Sequence, residues 1–176
     1  FEEYAFIQRC QWHKQQNVTG YLNDSQKELC KRQLQAAYAQ TTYREAKAGV
    51  EKLHRELQGV NESAANSLME GMEETLTLHS LGLSPELCKS LNTTNCMESV
   101  MAQLGQYTDK VDRWHNSSQI LRWTAAGLLE IEPRLHKIRG YRYLNLLRMK
   151  MRDEIKKRQE KQALGNSTID DLGVGI

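Results

Sequence analysis

The feature that most constrains the fold of this chain is the spacing of its apolar residues at intervals of three and four. Such spacing places side chains on one face of an α-helix, whereas a half-buried strand alternates at every second residue. Three consecutive segments show it, through Leu29, Leu34, Ala37 and Tyr38, then Ala46, Val50, Leu53 and Leu57, then Leu68, Met72, Leu76 and His79. The last set predicts one helix over residues 62–79, and the whole pattern predicts a mainly α fold.

Signals for helix starts precede several of these segments. Ser25-x-x-Glu28 and Thr42-x-x-Glu45 are typical of capping boxes, in which a hydroxyl and a carboxylate each satisfy a backbone N–H. Ser84-Pro85 predicts a further start, with Ser84 as the N-cap and proline in the first turn. We therefore expect separate helices beginning near each of these three positions.

The remaining segments are also predicted to be helical, with one exception. Residues 10–21, 117–132 and 143–163 are expected to form helices, and Pro133 ends the second of them. The exception is the short apolar and aromatic run Tyr4–Gln8, which is the only candidate for a strand. Residues 164–176 are expected to form a flexible tail.

Charge is distributed unevenly along the 176 residues, which suffice for one domain with a core. The net charge is only +2, but residues 134–161 carry 11 Lys or Arg against 3 Asp or Glu. Residues 1–133 carry 13 basic against 17 acidic side chains. The basic segment is either a surface that binds phosphate groups or an ordinary solvated helix face.

Composition argues against several classes of protein. Four cysteines without a tight pairing pattern favour free thiols in a reducing compartment over a disulfide framework. No apolar run approaches the roughly 18 residues of a membrane-spanning helix, and neither a leader nor a phosphate-binding glycine loop is evident. We expect a cytoplasmic protein with no membrane partner and no small-molecule substrate.

Two motifs carry candidate chemistry. The first is Cys10-x-x-His13, which by itself is compatible with half of a zinc site or with a buried, hydrogen-bonded histidine. The second is Thr93-Thr94-Asn95-Cys96-Met97-Glu98-Ser99, in which Asn95 could cap a helix and Glu98 would then be its third residue. Alone, each motif favours a structural role.

Together with three later segments, these motifs resemble the C-terminal part of mutator-type insertion-sequence transposases. The later segments are Arg113-Trp114, Arg122-Trp123-Thr124-Ala125-Ala126 and Arg139-Gly140-Tyr141-Arg142-Tyr143-Leu144. Their order and spacing, spread over residues 5–144, carry the resemblance. It implies a metal-dependent DDE transposase, which cleaves and joins DNA with three carboxylates and two Mg²⁺ or Mn²⁺ ions.

The resemblance also implies an organisation for the chain. An RNase H-like α/β core would be interrupted by an all-helical insertion, with at most one or two strands in this chain. Residues 1–24 would end a core segment, residues 25–90 would form the insertion, and residues 91–163 would return to the core with basic C-terminal helices. The two aspartates would lie before Phe1, so the isolated 176 residues are expected to be inactive.

By the same resemblance, Glu98 is the catalytic residue and metal ligand, supported by Cys10, His13 and Asn95. DNA contacts are expected from Arg113, Trp114, Lys137, Arg139, Arg142, Arg148 and Lys150. Trp114 is also the best candidate for stacking on an unpaired base. The partners would be transposon-end and target DNA and further copies of the protein, at the nucleoid of a bacterial or archaeal cell. The alternative is a degenerate, non-catalytic helical module that binds DNA or a partner protein.

Overall fold

The computed structural model describes the backbone of residues 4–170 and the side chains of residues 4–163. The described part is mainly α-helical, as the spacing predicted. Its ten α-helices are α1 Gln11–Thr19, α2 Asp24–Tyr38, α3 Tyr43–Gln58, α4 Glu62–Met69, α5 Met72–Thr75, α6 Thr77–Ser80, α7 Ser84–Leu91, α8 Asn95–Thr108, α9 Ser117–Ile131 and α10 Leu144–Asp170. None of these is long and apolar enough to cross a membrane.

The strand predicted at Tyr4–Gln8 is wrong, and no strand occurs between residues 4 and 170. Tyr4 lies in a 3-10 turn and residues 5–10 are irregular. The side chain of Gln8 bonds to helix termini instead of a neighbouring strand. Its amide donates to the Thr75 carbonyl at 3.0 Å and its carbonyl accepts from the Leu78 N–H at 3.0 Å. Of this run only Phe6 packs against a core cluster, and it is half-buried, while Tyr4 and Ile7 are exposed.

The main hydrophobic core lies among helices α1 to α5. α3 presents its predicted face to this core, and Ala46, Val50, Leu53 and Leu57 are all buried. The Thr42 hydroxyl accepts from the Glu45 N–H at 3.3 Å, which confirms the predicted cap of this helix. At Gly49 the backbone of α3 approaches α2 so closely that a Cβ there would lie 2.8 Å from the Cβ of Ala37.

The start and the buried face of α2 differ from the prediction. The capping box is formed by Asn23 and Gln26, not by Ser25 and Glu28, because Asn23 accepts from the Gln26 N–H at 3.0 Å and the Gln26 side chain bonds back to Asn23. Cys30 is buried with Leu34 and Ala37, while Leu29 is 52% exposed. An amide cap two residues earlier thus replaces the predicted hydroxyl cap.

The helix predicted over residues 62–79 is broken into α4, α5 and α6. The four residues predicted to share its inner face, Leu68, Met72, Leu76 and His79, are nevertheless buried. The break lies at Gly71, whose φ of +61° is a left-handed conformation that favours glycine. The Arg9 side chain lies against this glycine, and a Cβ there would be 2.5 Å from Arg9 Nη1. The helix is therefore interrupted at a left-handed glycine that lies against a distant segment of the chain.

A second core cluster joins α6 and α7 to α10. It contains Leu78, Leu81, Leu83 and Leu87, with Phe6, Leu147 and Met151 packed against it. The N-cap of α7 is Leu83 and not Ser84, which is the first helical residue, whereas Pro85 lies in the first turn as predicted. The Asn116 side chain caps α9 at the Gln119 N–H.

The C-terminal helix is longer than predicted. α10 continues to Asp170, beyond its predicted end at residue 163, and the expectation of a flexible tail over residues 164–176 remains a prediction. The rest of that predicted tail, residues 171–176, lies outside the described residues. The domain boundaries at residues 24, 90 and 163 remain predictions.

Candidate active site

The start of α1 is joined directly to the segment that leads into α8. The Gln11 backbone N–H donates to the Asn92 carbonyl at 2.8 Å, and the Asn92 side-chain amide donates to Gln11 Oε1 at 3.0 Å. Cys10 is the N-cap of α1, and its sulfur accepts from the His13 N–H at 3.5 Å. This junction places the Cys-x-x-His motif beside the motif that contains Glu98.

Four side chains from the two motifs meet at this junction, and Thr94 is at their centre. Its hydroxyl lies 3.6 Å from Cys10 Sγ and 3.4 Å from His13 Nδ1, and it donates to Glu98 Oε1. His13 Nε2 lies 3.9 Å from Glu98 Oε1. Because a hydroxyl carries one proton, the sulfur, the imidazole nitrogen and the carboxylate compete for donation from Thr94.

Glu98 is accessible from solvent. Its side chain is 56% exposed, and that of His13 is 49% exposed. Oε2 of Glu98 has no hydrogen-bond partner among the described residues, since the bond from Thr94 and the approach of His13 are both to Oε1. One carboxylate oxygen is therefore held by the protein and the other is available to a ligand.

Asn95 does not cap α8, contrary to the prediction. The N-cap is Thr94, Asn95 is the first helical residue, and the Glu98 N–H donates to the Thr94 carbonyl at 2.9 Å, so Glu98 is the fourth residue and not the third. Thr94 makes no side-chain cap bond because its hydroxyl is directed towards Glu98 and the Cys-x-x-His motif. A supporting role for Asn95 remains a prediction.

The sequence reasoning did not single out Thr94 as the residue that connects the two motifs. The only local signal was a hydroxyl residue directly before the helix with a glutamate four residues later. That spacing places both side chains on the first turn, but it does not show the contacts of Thr94 with Cys10 and His13. Those contacts depend on the junction between Gln11 and Asn92.

The environment of Cys10 favours its thiolate. Burial by itself raises the pKa of the thiol, but hydrogen bonds from the His13 N–H and the Thr94 hydroxyl outweigh that effect and lower the pKa to about 7. The thiol lines a surface depression shared with Arg9, Lys14 and Glu70. Cys10 is therefore an accessible and partly ionised cysteine at neutral pH.

We predict that Cys10 is alkylated by iodoacetamide with a half-maximal rate near pH 7, because only the thiolate reacts and its pKa is about 7. Cys88, whose pKa is raised by burial, serves as the internal comparison and titrates at higher pH. Peptide mass spectrometry across the neutral range measures both rates. Thr94→Val removes one donor and shifts the Cys10 midpoint upward. A Cys10 midpoint at or above that of Cys88 would contradict this account.

A buried lysine fixes α1 to the neighbouring helix α4, and the sequence reasoning missed it as well. The Lys14 ammonium, 3% exposed, donates to the Ser67 carbonyl at 2.6 Å and to the Glu70 carbonyl, and lies 3.6 Å from the Glu70 carboxylate. Arg9 adds ion pairs with Glu70 at 3.0 Å and Glu74 at 2.9 Å. Lys14 and Arg9 both lie at the C-terminal end of α4. Their positive charges there complement the free carbonyls and the negative end of the helix dipole.

The described residues do not form a complete metal site. No group of three or more His, Cys, Asp or Glu side chains among them could hold an ion. The pair Cys10 and His13 therefore has no further zinc ligands within the described part of the chain, and Glu98 offers a single carboxylate. A metal site that includes Glu98 would need further carboxylates from outside the described residues.

The residues predicted to contact DNA lie in three places. Arg113 and Trp114 lie between α8 and α9, while Lys137, Arg139 and Arg142 lie between α9 and α10. The last two, Arg148 and Lys150, lie on α10. All six cations are exposed, and none of the six has an ion-pair partner among residues 4–163. They are available to bind phosphate, although no contact among the described residues joins them to Glu98.

Comparison with known proteins identified a family. A family model described as "Transposase, Mutator family" matches residues 2–134. Neither the curated proteins nor the solved structures gave a match. The matched range includes Cys10, His13, Thr94 and Glu98, and it ends at Arg134, where the basic segment over residues 134–161 begins.

Proposed function

This chain belongs to the Mutator family of transposases, and we propose that it supplies the third carboxylate, Glu98, of a metal-dependent DDE active site. The family acts in DNA transposition, so DNA is its partner. One observation supports the proposal that Glu98 is the third carboxylate. Glu98 lies in contact with the hydroxyl of Thr94, which also reaches Cys10 and His13, so two distant motifs converge on one exposed carboxylate.

The donor chemistry of Glu98 fits a hard divalent cation. Mg²⁺ and Mn²⁺ prefer carboxylate oxygens, whereas the Cys10 thiolate is a soft ligand that suits neither ion. A pair of such ions would activate an attacking hydroxyl and stabilise the leaving oxygen of the cleaved strand. We propose that two aspartates outside the described residues complete the site, in an RNase H-like core that these helices join.

In this proposal the residues around Glu98 position its carboxylate. Thr94 holds Oε1 and leaves Oε2 available to bind the ion. The paired hydrogen bonds between Gln11 and Asn92 keep the start of α1 fixed beside the start of α8. A ligand held by a helix and a supporting hydrogen bond is aimed more accurately than one on a loop.

DNA would be bound by the exposed cations of the C-terminal third. Lys137, Arg139, Arg142, Arg148 and Lys150 have no acidic partner among residues 4–163 and are available to DNA phosphates. Transposon ends and target DNA would be the substrates, and the full-length protein would act as a homo-oligomer at the nucleoid, in the cytoplasm.

The test is strand cleavage of a labelled transposon-end duplex by the full-length protein. We expect cleavage with Mg²⁺ or Mn²⁺ and none after EDTA, while DNA binding persists. The 176-residue chain alone is expected to bind the duplex without cutting it. Metal-dependent cleavage by this chain would show that its site is complete without further aspartates. Binding by the full-length protein without any cleavage would favour the non-catalytic helical module.

A further inference from the structure

A cavity of about 630 Å³ opens at the start of α9, and neither Glu98 nor the residues around it line it. Its lining residues are His115, Asn116, Gln119, Arg122, Trp123 and Ala126. The volume falls within the roughly 300–1,000 Å³ typical of ligand sites. Trp123 is 46% exposed and meets Trp114 edge to face, with ring centroids 6.5 Å apart. The ring of Trp123 is therefore more accessible to a ligand than that of Trp114, which is half-buried.

Two amide side chains in the lining direct hydrogen-bond donors away from the backbone. Asn116 Oδ1 accepts from the Gln119 N–H at 2.8 Å, and Gln119 Oε1 accepts from the His115 N–H at 2.8 Å. Because each backbone N–H needs an acceptor, these bonds fix which end of each amide is oxygen. The NH₂ groups of both side chains have no partner among the described residues.

Arg122 adds the charge. Its Nε donates to the Ser118 carbonyl at 3.3 Å, which holds the side chain along its own helix. Its terminal nitrogens have no partner among the described residues, and no carboxylate lines the cavity. A cavity with several free donors, one cation and no acid suits a ligand that is anionic and rich in acceptors.

We propose that this cavity binds an unpaired nucleotide of the DNA substrate, with the base on the Trp123 ring and a phosphate at Arg122. This inference rests on the proposed function and adds a substrate feature to it. An aromatic ring stacks on any base, and the free amides can donate to base carbonyls or phosphate oxygens. A base inside a duplex is already stacked on both faces, so only an unpaired one can reach the ring.

The test uses the full-length protein and a duplex that carries a single-stranded overhang with 2-aminopurine as its first unpaired base. Stacking on Trp123 is expected to quench the 2-aminopurine fluorescence. Trp123→Ala is expected to abolish the quenching and to weaken binding of the overhang by roughly 5- to 150-fold. Affinity for a blunt duplex, measured by anisotropy, should stay unchanged.

Further variants separate stacking from folding. Trp123→Phe keeps a ring and is expected to keep most of the quenching, whereas Arg122→Gln should weaken overhang binding and make it less dependent on salt. Leu129→Ala, at a 68% exposed position of α9 outside the lining, is the matched control and should behave as wild type. Equal quenching by wild type and Trp123→Ala would overturn the cavity proposal alone. If the wild-type protein bound neither the overhang duplex nor the blunt duplex, both the cavity proposal and the proposed function would be overturned.

Discussion

Glu98→Gln in the full-length protein is expected to lower the rate of DNA strand cleavage by more than about 100-fold. Loss of a residue that only supports a metal ligand typically lowers activity by ~10–100-fold, and loss of a ligand itself should cost more. Glutamine has the shape of glutamate and can still accept from Thr94, but its neutral amide is a poor ligand for Mg²⁺. Binding of transposon-end DNA should be retained. Cleavage rates and binding are measured with the same labelled duplex.

Glu62→Gln is the matched control for that substitution. Glu62 is also an exposed glutamate in the first turn of a helix, and it makes no ion pair among the described residues. The Glu62→Gln variant should cleave DNA at the wild-type rate. If Glu98→Gln also cleaved at the wild-type rate, Glu98 would be an ordinary first-turn glutamate, and the non-catalytic module would be the better interpretation.

Lys14→Met is expected to destabilise the fold by about 2–4 kcal/mol, because it removes a buried donor from two carbonyls without replacing it. Methionine fills a similar volume, so packing changes little. The carbonyls of Ser67 and Glu70 lose the ammonium that now bonds to both. Urea unfolding of the 176-residue chain, followed by circular dichroism, measures the change.

Lys52→Met provides the comparison for Lys14→Met. Lys52 is 72% exposed, and its only ion pair among the described residues is the one with Glu56 on the same helix, at 3.9 Å. Exposed pairs of this kind contribute about 0–1 kcal/mol, so a small effect is expected. Equal effects of the two substitutions would show that Lys14 does not anchor α1 to the end of α4.

The helices predicted best were those whose signals are local. In α3, the cap at Thr42 and the face from Ala46 to Leu57 lie within one segment, so the spacing alone determined them. The break at Gly71 was not predicted, and its surroundings are not local, because Gly71 lies against Arg9, which is far away in sequence. The strand predicted at Tyr4–Gln8 failed for a similar reason, since the partners of Gln8 are helix termini.

For the candidate site, the sequence predicted three of the candidate side chains but not their arrangement. Cys10, His13 and Glu98 were proposed from their resemblance to family motifs, and the structure brings them together. Thr94 was identified only by the structure, because its role depends on contacts between residues 84 positions apart. Lys14 was missed because a lysine in a polar helix gives no sign of burial.

The most direct test of the central claim is anomalous diffraction from crystals of the full-length protein with transposon-end DNA and Mn²⁺. The account predicts an anomalous peak about 2.0–2.2 Å from a carboxylate oxygen of Glu98, at the octahedral bond lengths of small divalent cations. In that complex two aspartates would complete the ligand set. The account would be contradicted if manganese were bound at the cleavage site but not coordinated by Glu98, with the Glu98 side chain still bonded only to Thr94.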